Sequence, residues 1–89
     1  MKPFKDIQEA IDRTNNSDNG LSAGIFTKDV NRIELFSRHI EAGTICINTY
    51  NYCPYNVPFG GFKQSGFGKD NGYEAILENT TEKAVYQAF

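Results

Sequence analysis

The sequence predicts an α/β fold in the order helix, strand, helix, strand, long loop, helix, strand. Two amphipathic segments with capping residues alternate with two short apolar or β-branched segments, which is the pattern of a βαβ unit. The second observation is the stretch from residue 58 to 72, where five glycines alternate with three phenylalanines. Glycine permits tight turns and phenylalanine buries apolar area, so this stretch indicates an ordered glycine-rich loop.

The first helix is predicted from Asp6 to about Asn16. Asp6 and Glu9 have the spacing of a capping box, in which each side chain binds a backbone N–H at the helix start. The helix ends in a run of six turn-forming residues from Asn15 to Gly20. Its predicted apolar face comprises Ile7, Ala10, Ile11 and Thr14.

A strand, a helix and a second strand are predicted next. Leu21 to Thr27 alternates apolar residues with small ones, which predicts a strand buried on both faces. Asp29 caps a helix from Val30 to about Ala42, with Gly43 as the C′ residue. Thr44 to Tyr50 is the second strand, and the short connections predict that the two strands are parallel neighbours in a right-handed βαβ unit.

The remainder combines a long loop, a helix and a terminal strand. Residues 51 to 70 have no period, and two prolines exclude a central strand. Asn71 with Glu74 predicts another capping box, opening a helix through about Glu78. Thr80 to Gln87 alternates loosely and is predicted to be a strand.

Composition excludes several classes of protein. Eighty-nine residues allow one domain, and a net charge of −2 argues against nucleic acid or an anionic membrane as the partner. There is no apolar run of membrane-spanning length and no signal-peptide pattern, so a cytoplasmic location is the expectation. Two cysteines, Cys46 and Cys53, lack metal-site spacing and are expected to be reduced.

The glycine-rich loop does not have the spacing of a nucleotide-phosphate loop. Gly61 and Gly66 stand five apart as in a P-loop, but Phe67 follows where the phosphate-binding lysine is required. The dinucleotide fingerprint also fails, because the later glycines read G-x-G-x-x-x-G, one residue too long. Phosphate binding by this loop is therefore the weakest of the interpretations considered.

The loop resembles a family signature instead. Pro-Phe-Gly-Gly-Phe-Lys-Gln-Ser-Gly-Phe-Gly-Lys from Pro58 to Lys69, with Gly43-Thr44 and Ile47-Asn48, resembles the C-terminal signature of the aldehyde dehydrogenase superfamily. Asn15 to Thr27 and Glu41 to Asn48 are similar to family segments in the same order. Asn48-Thr49-Tyr50-Asn51, Pro54 and Val57-Pro58-Phe59 are most similar to the betaine aldehyde and trimethylaminobutyraldehyde dehydrogenases. The segment from residue 62 to 70 is equally similar to the formyltetrahydrofolate dehydrogenase branch.

The resemblance implies a fragment of a catalytic domain. Residues 1–79 would be the C-terminal part of that domain, and residues 80–89 a terminal oligomerisation strand. The family oxidises aldehydes with NAD or NADP, using a thiolate nucleophile, a general-base glutamate and a cofactor-binding segment. None of the three motifs occurs in this chain, so no catalytic residue and no bound cofactor are expected for the chain alone.

The resemblance also implies binding residues. Asn51, Cys53 and Phe59 correspond to the wall of the family's aldehyde tunnel, where an aromatic ring would attract a quaternary-ammonium aldehyde. The alternatives are a plain loop cysteine for Cys53 and a core anchor for Phe59. Lys63 and Gly66 match positions whose backbone carbonyls hold a monovalent cation in some relatives. The alternative for that pair is an exposed lysine and a turn glycine.

Other candidates have plainer interpretations. Cys46 lies in mid-strand and is expected to be a packed, inert thiol. His39 has no carboxylate partner at catalytic spacing and is expected to be structural. The tail departs from the family at Asn79, usually aromatic, and at Thr81, usually an acid that belongs to subunit contacts.

Three functions remain open from the sequence. The first is the C-terminal portion of an NAD(P)-dependent aldehyde dehydrogenase, contributing tunnel wall and subunit contacts but inactive alone. Its partners would be the remainder of the enzyme or another copy of the chain, with an aldehyde as substrate. The second is a stand-alone structural or interaction module derived from that family, and the third is a small anion-binding domain that uses the glycine loop.

Overall fold

The computed structural model describes all 89 residues as three helices and four short strands. Two of the strands are only two residues long, and much of the rest is ordered loop. In chain order the elements are α1 (Ile7–Asn15), β1 (Asn19–Gly20), β2 (Ser22–Ile25), α2 (Val30–His39), β3 (Thr44–Ile47), β4 (Phe62–Lys63) and α3 (Gly72–Glu78).

The central unit is β2–α2–β3, and its two strands are parallel as predicted. Ser22 pairs with Thr44, and the register continues to Ile25 opposite Ile47. α1 and α2 cover one face of this sheet, where Ile11 is 1% exposed. The core residues are Ile11, Phe36, Ile40 and Ala42, with Ala23, Ile25 and Ile45 of the sheet packed against them.

The prediction that β2 is buried on both faces is wrong for this chain. Ala23 and Ile25 are half-buried under the helices, whereas Ser22 and Gly24 on the opposite face are exposed. No segment of the chain lies over that second face to bury it. The sheet therefore has one covered face and one open face.

Helix caps follow the sequence at two of three sites. The Asp29 side chain accepts from the N–H groups of Asn31 and Arg32, and Asp6 accepts from Glu9 N at 2.8 Å. Glu9 itself accepts from Lys5 N rather than from Asp6 N, so the predicted capping box is only half formed. At α3 the predicted box is absent, because Asn71 makes no capping hydrogen bond.

Gly43 does not act as the C′ residue of α2. The helix ends at His39, and Ile40 is already extended. A Cβ at Gly43 would lie 1.8 Å from the carbonyl oxygen of Gly60. The glycine is required there because the backbone of the glycine-rich loop packs directly on it.

The glycine-rich loop adds a second, antiparallel sheet that the sequence did not predict. β4 pairs with β1, with Gly20 opposite Phe62. A Phe59–Asp70 bridge, with two hydrogen bonds of 2.8 Å, closes the loop. The loop is thus ordered, although Phe67 is fully exposed and does not anchor it.

The predicted terminal strand does not form within this chain. Residues 80–89 have no strand assignment, and all are exposed. The predicted strand Thr80 to Gln87 needs a partner strand, and none of the chain's own strands is paired with it. None of the three helices is long and apolar enough to cross a membrane.

Candidate functional site

The open face of the parallel sheet forms the floor of a cleft of about 510 Å³. Alternate residues of a strand point to the same face, so Ser22 and Gly24 of β2 lie beside Thr44 and Cys46 of β3. Small side chains at these positions leave space above the sheet. The walls come from the chain after β3 and from the start of the glycine-rich loop, and comprise Tyr50, Asn51, Tyr52, Cys53 and Phe59.

The first wall begins where β3 ends. Asn48 has a φ of 55°, and Asn51 has a φ of 54°. Both values are in the left-handed region, which asparagine tolerates better than most residues. The backbone therefore changes direction twice within four residues, and the residues from Tyr50 to Cys53 come to line the cleft.

The second wall is Phe59, which is held by its backbone. Its N–H and C=O both pair with Asp70 at 2.8 Å, and the next residue, Gly60, packs on Gly43. Phe59 is half-buried and lines the cleft. An aromatic residue with a fixed backbone is therefore placed opposite the first wall.

The two cysteines lie in the same cleft and are both free thiols. Cys46 is half-buried in β3 and faces the cleft, and the expectation that it is an inert, packed thiol stays a prediction. Cys53 is exposed, and its sulfur accepts a hydrogen bond from Asn71 Nδ2 at 3.6 Å. Asn71, at the start of α3, has a φ of 61° and not the extended angle of Asp6 and Asp29, and its amide contacts the cleft wall and makes no capping hydrogen bond.

The structure therefore brings together Asn51, Cys53 and Phe59, the three residues expected in the substrate wall. Their role in binding a substrate stays a prediction. Two further wall residues, Tyr50 and Tyr52, were missed by the sequence reasoning. The sequence signal for them is the pair of tyrosines that flank Asn51, because large aromatic side chains are more typical of a binding-site wall than of a polar surface turn.

Lys63 and Gly66, the expected cation pair, lie outside the cleft. Gly66 has a φ of 117° and donates to the carbonyl of Lys63 at 3.4 Å, the geometry of a turn glycine. Lys63 is not a free surface lysine, because its side chain is only 27% exposed and its ammonium contacts three oxygens. Cation binding by the two carbonyls stays a prediction. No group of three or more His, Cys, Asp or Glu residues that could hold a metal is found.

The glycine-rich loop already binds an anion of its own chain. Glu78 Oε2 accepts from Lys69 N at 2.7 Å and lies against Gly68. The Lys69 ammonium lies 5.8 Å from the centroid of the Phe62 ring. Because a carboxylate of α3 occupies this backbone N–H, the loop is not presented as an open phosphate cradle.

The structural role expected for His39 stays a prediction. His39 is exposed, and its Nδ1 lies 2.9 Å from the carbonyl oxygen of Leu35 one turn earlier in α2. It does not line the cleft. The cleft thus contains no histidine, carboxylate or lysine.

The chain matches the aldehyde dehydrogenase family over residues 1–85. It is 51% identical over 83 residues to betaine aldehyde dehydrogenase 1 of Rhizobium meliloti, covering 93% of this chain and 17% of that protein. It is 50% identical over 87 residues to cytosolic 10-formyltetrahydrofolate dehydrogenase of Xenopus tropicalis, covering 96% of this chain and 10% of that one.

The fold agrees with solved members of the same family. A crystal structure of betaine aldehyde dehydrogenase from Staphylococcus aureus in complex with NAD⁺ superposes with a TM-score of 0.83 at 35% identity. The match covers 86% of this chain and 15% of that one. The fold and the matched residues thus correspond to an α/β segment that these family members share. The chain belongs to the aldehyde dehydrogenase family and spans less than a fifth of the length of these relatives.

Proposed function

We propose that this chain serves as one part of an NAD(P)-dependent aldehyde dehydrogenase, where it supplies a wall of the aldehyde site. The observation that carries the proposal is the cleft on the open face of the sheet. It is lined by Asn51, Cys53 and Phe59, the residues that resemble the family's substrate wall. Identity of about half the residues to two relatives that are named as dehydrogenases, one of them for betaine aldehyde, supports the same assignment.

The chemistry of the cleft favours binding over catalysis. Three aromatic residues, one asparagine and two cysteines offer apolar contact and hydrogen bonds, with no histidine, carboxylate or lysine to act as a general base. The nucleophile, the general base and the nicotinamide are proposed to be held by parts of the enzyme outside these residues. In such an enzyme this chain orients the aldehyde and excludes water from one side of it.

The substrate class proposed is an aldehyde that carries a quaternary ammonium group. Tyr50, Tyr52 and Phe59 line one cleft. The attraction between an aromatic face and such a cation contributes about 2 kcal/mol or more when water is excluded. The relative from Rhizobium meliloti is named for betaine aldehyde, which has this chemistry. A neutral aldehyde is the alternative that the same experiment tests.

The nicotinamide cofactor does not fit the residues of this chain. The glycine spacing matches neither phosphate motif, and Glu78 occupies the backbone N–H of Lys69. We therefore assign no cofactor contact to these residues. NAD or NADP is proposed to belong to the complete enzyme.

The test is a chimera. In the Rhizobium meliloti betaine aldehyde dehydrogenase, the matched segment is replaced by these 89 residues, and NAD reduction is measured with betaine aldehyde and with a neutral aldehyde of similar size. We expect turnover with a preference for the cationic aldehyde. The controls are the relative without the segment and the 89-residue chain alone, both expected to be inactive.

Two results would contradict the proposal. One is a folded chimera that binds NAD but turns over no aldehyde, which would favour a stand-alone structural module. The other is turnover by the 89-residue chain itself that disappears with Cys53→Ala, which would make Cys53 a nucleophile.

A further inference from the structure

The ammonium of Lys63 lies where three separate segments of the chain meet. Nζ donates to the carbonyl oxygens of Asn15 at 2.7 Å and Ser17 at 3.1 Å. It also lies 2.5 Å from a carboxylate oxygen of Glu41. An ammonium has three N–H donors, so every donor has an acceptor.

The acceptors form a site of negative potential. Asn15 is the last residue of α1, and its side chain reaches the end of α2, donating to His39 O at 2.6 Å and accepting from Glu41 N at 2.9 Å. Helix C-termini carry partial negative charge on their unpaired carbonyls. The last carbonyl of α1, a carbonyl of the turn after it and one carboxylate just beyond α2 thus surround a single cation, which the chain itself provides.

Lys63 belongs to the glycine-rich loop, so its ammonium attaches the loop to the helical layer. Around it, Gln64 N donates to Asp18 O at 2.8 Å, and Gly20 N donates to Ser65 Oγ at 2.9 Å. The backbone of Lys63 has a φ of 54°, a conformation that has to be held by such contacts. Phe59 lies one short segment earlier, on the same attached stretch.

We propose that Lys63 is a positioning residue that acts through its side chain. Its ammonium fixes residues 59–63 on the ends of α1 and α2, and through them it sets where Phe59 lies in the cleft. The part of this inference that concerns aldehyde binding rests on the proposed function. The attachment of the loop by Lys63 is independent of the proposed function and is measured separately.

The first test is hydrogen exchange in the 89-residue chain with Lys63→Met. The amides of Gly20 and Gln64 should exchange about tenfold faster, as expected when a charge-assisted hydrogen bond is lost. The amide of Asn48, which donates to Ile25 O, should be unchanged because it lies at the far end of the parallel sheet. Lys28→Met, at an exposed lysine, is the matched control. Unchanged exchange at Gly20 and Gln64 would overturn the proposal.

A double-mutant cycle separates the ion site from general loop packing. Glu41→Gln should also speed exchange at the amides of Gly20 and Gln64. The double variant should exchange no faster than Lys63→Met alone, because both substitutions disrupt the same ion site. Fully additive effects would overturn the proposal. If Lys63→Met also speeds exchange at the Asn48 amide, the variant has unfolded beyond the loop. Lys63→Gln then replaces it, with faster exchange expected at Gly20 and Gln64 and unchanged exchange at Asn48.

The second test measures kinetics in the chimera. Lys63→Met should raise the KM for the aldehyde about tenfold and leave kcat and the KM for NAD within about twofold, since the wall is displaced while the catalytic groups are not. An equal fall in kcat with an unchanged KM would overturn the positioning of Phe59. An inactive parent chimera would defeat the proposed function, whereas hydrogen exchange would still decide whether Lys63 holds the loop.

Discussion

The side-chain amide of Asn48 pairs with both backbone groups of Thr27. Its Oδ1 accepts from Thr27 N at 2.8 Å, and its Nδ2 donates to Thr27 O at 2.9 Å. The backbone N–H of Asn48 forms the preceding bond, to Ile25 O. The amide thus continues the parallel sheet by one step while the main chain turns away toward the cleft.

Asn48→Ala should therefore lower the free energy of unfolding by about 2 kcal/mol, because two hydrogen bonds are lost and alanine tolerates the left-handed region less well than asparagine. Urea-induced unfolding measures it. Asn48→Gly is the control, since it loses the amide but accepts the backbone angle, and its loss should be smaller. Equal stabilities of the alanine variant and the parent would show that the pairing contributes nothing.

Gly43→Ala should prevent the glycine-rich loop from docking. The new methyl group would lie 1.8 Å from Gly60 O. Gly43 N donates to Gly20 O, and Phe59, next to Gly60, is paired with Asp70, so a shift of either backbone would disturb a neighbouring hydrogen bond. We expect a loss of about 3 kcal/mol or more, the range of severe overpacking. Gly24→Ala is the matched control, because its nearest atom would be 3.5 Å away. Thermal unfolding compares them, and a Gly43→Ala variant as stable as Gly24→Ala would contradict the close contact.

Phe59→Ala, made in the chimera, should impair aldehyde use more than cofactor use. The KM for a cationic aldehyde should rise about tenfold, because an aromatic face is lost from the cleft. Phe67→Ala is the control, since Phe67 is fully exposed and lines no part of that cleft. An equal loss of NAD affinity would contradict the assignment. A lower melting temperature with intact kinetics would make Phe59 a core anchor instead.

The 89-residue chain should self-associate. Only five residues are buried, and the tail carries the exposed side chains of Val85, Tyr86 and Phe89. The backbone of the tail has no partner strand and its apolar side chains face water, and both conditions favour association with a second copy of the chain. Sedimentation should show a dimer or larger assembly, and a chain ending at Asn79 should associate less. A folded monomer with residues 80–89 packed on its own chain would contradict this prediction, because the unpaired backbone would then be covered without a second copy.

Local signals predicted the parallel unit well. Asp6 and Asp29 cap their helices through contacts within three residues, and Phe36 of α2 and the following Ile40 are buried four residues apart, which is the helical spacing. Such interactions are readable because both partners lie in one short window of sequence. The parallel pairing of β2 and β3 follows from the helix that connects them.

Contacts between distant segments were not predictable in the same way. Gly43 has the sequence context of a helix C′ residue, yet its role is decided by Gly60 in another segment. Asn71 has the spacing of a cap, yet its amide binds Cys53. In each case a tertiary contact replaces the local one. The terminal strand expected at residues 80–87 is unpaired within this chain, and its pairing with another copy stays a prediction because a strand also requires a partner.

The cleft is built half from a sheet and half from loops, and the two halves differ in how freely they can diverge. Its floor, from Ser22 to Gly24 and from Thr44 to Cys46, is tied to the pairing of β2 with β3. Its first wall, from Tyr50 to Cys53, follows that sheet without joining it. Substitutions there can alter the size and polarity of the cleft while the sheet is left intact. Under the proposed function, a family built on this plan can acquire new aldehydes by exchanging one short stretch of wall.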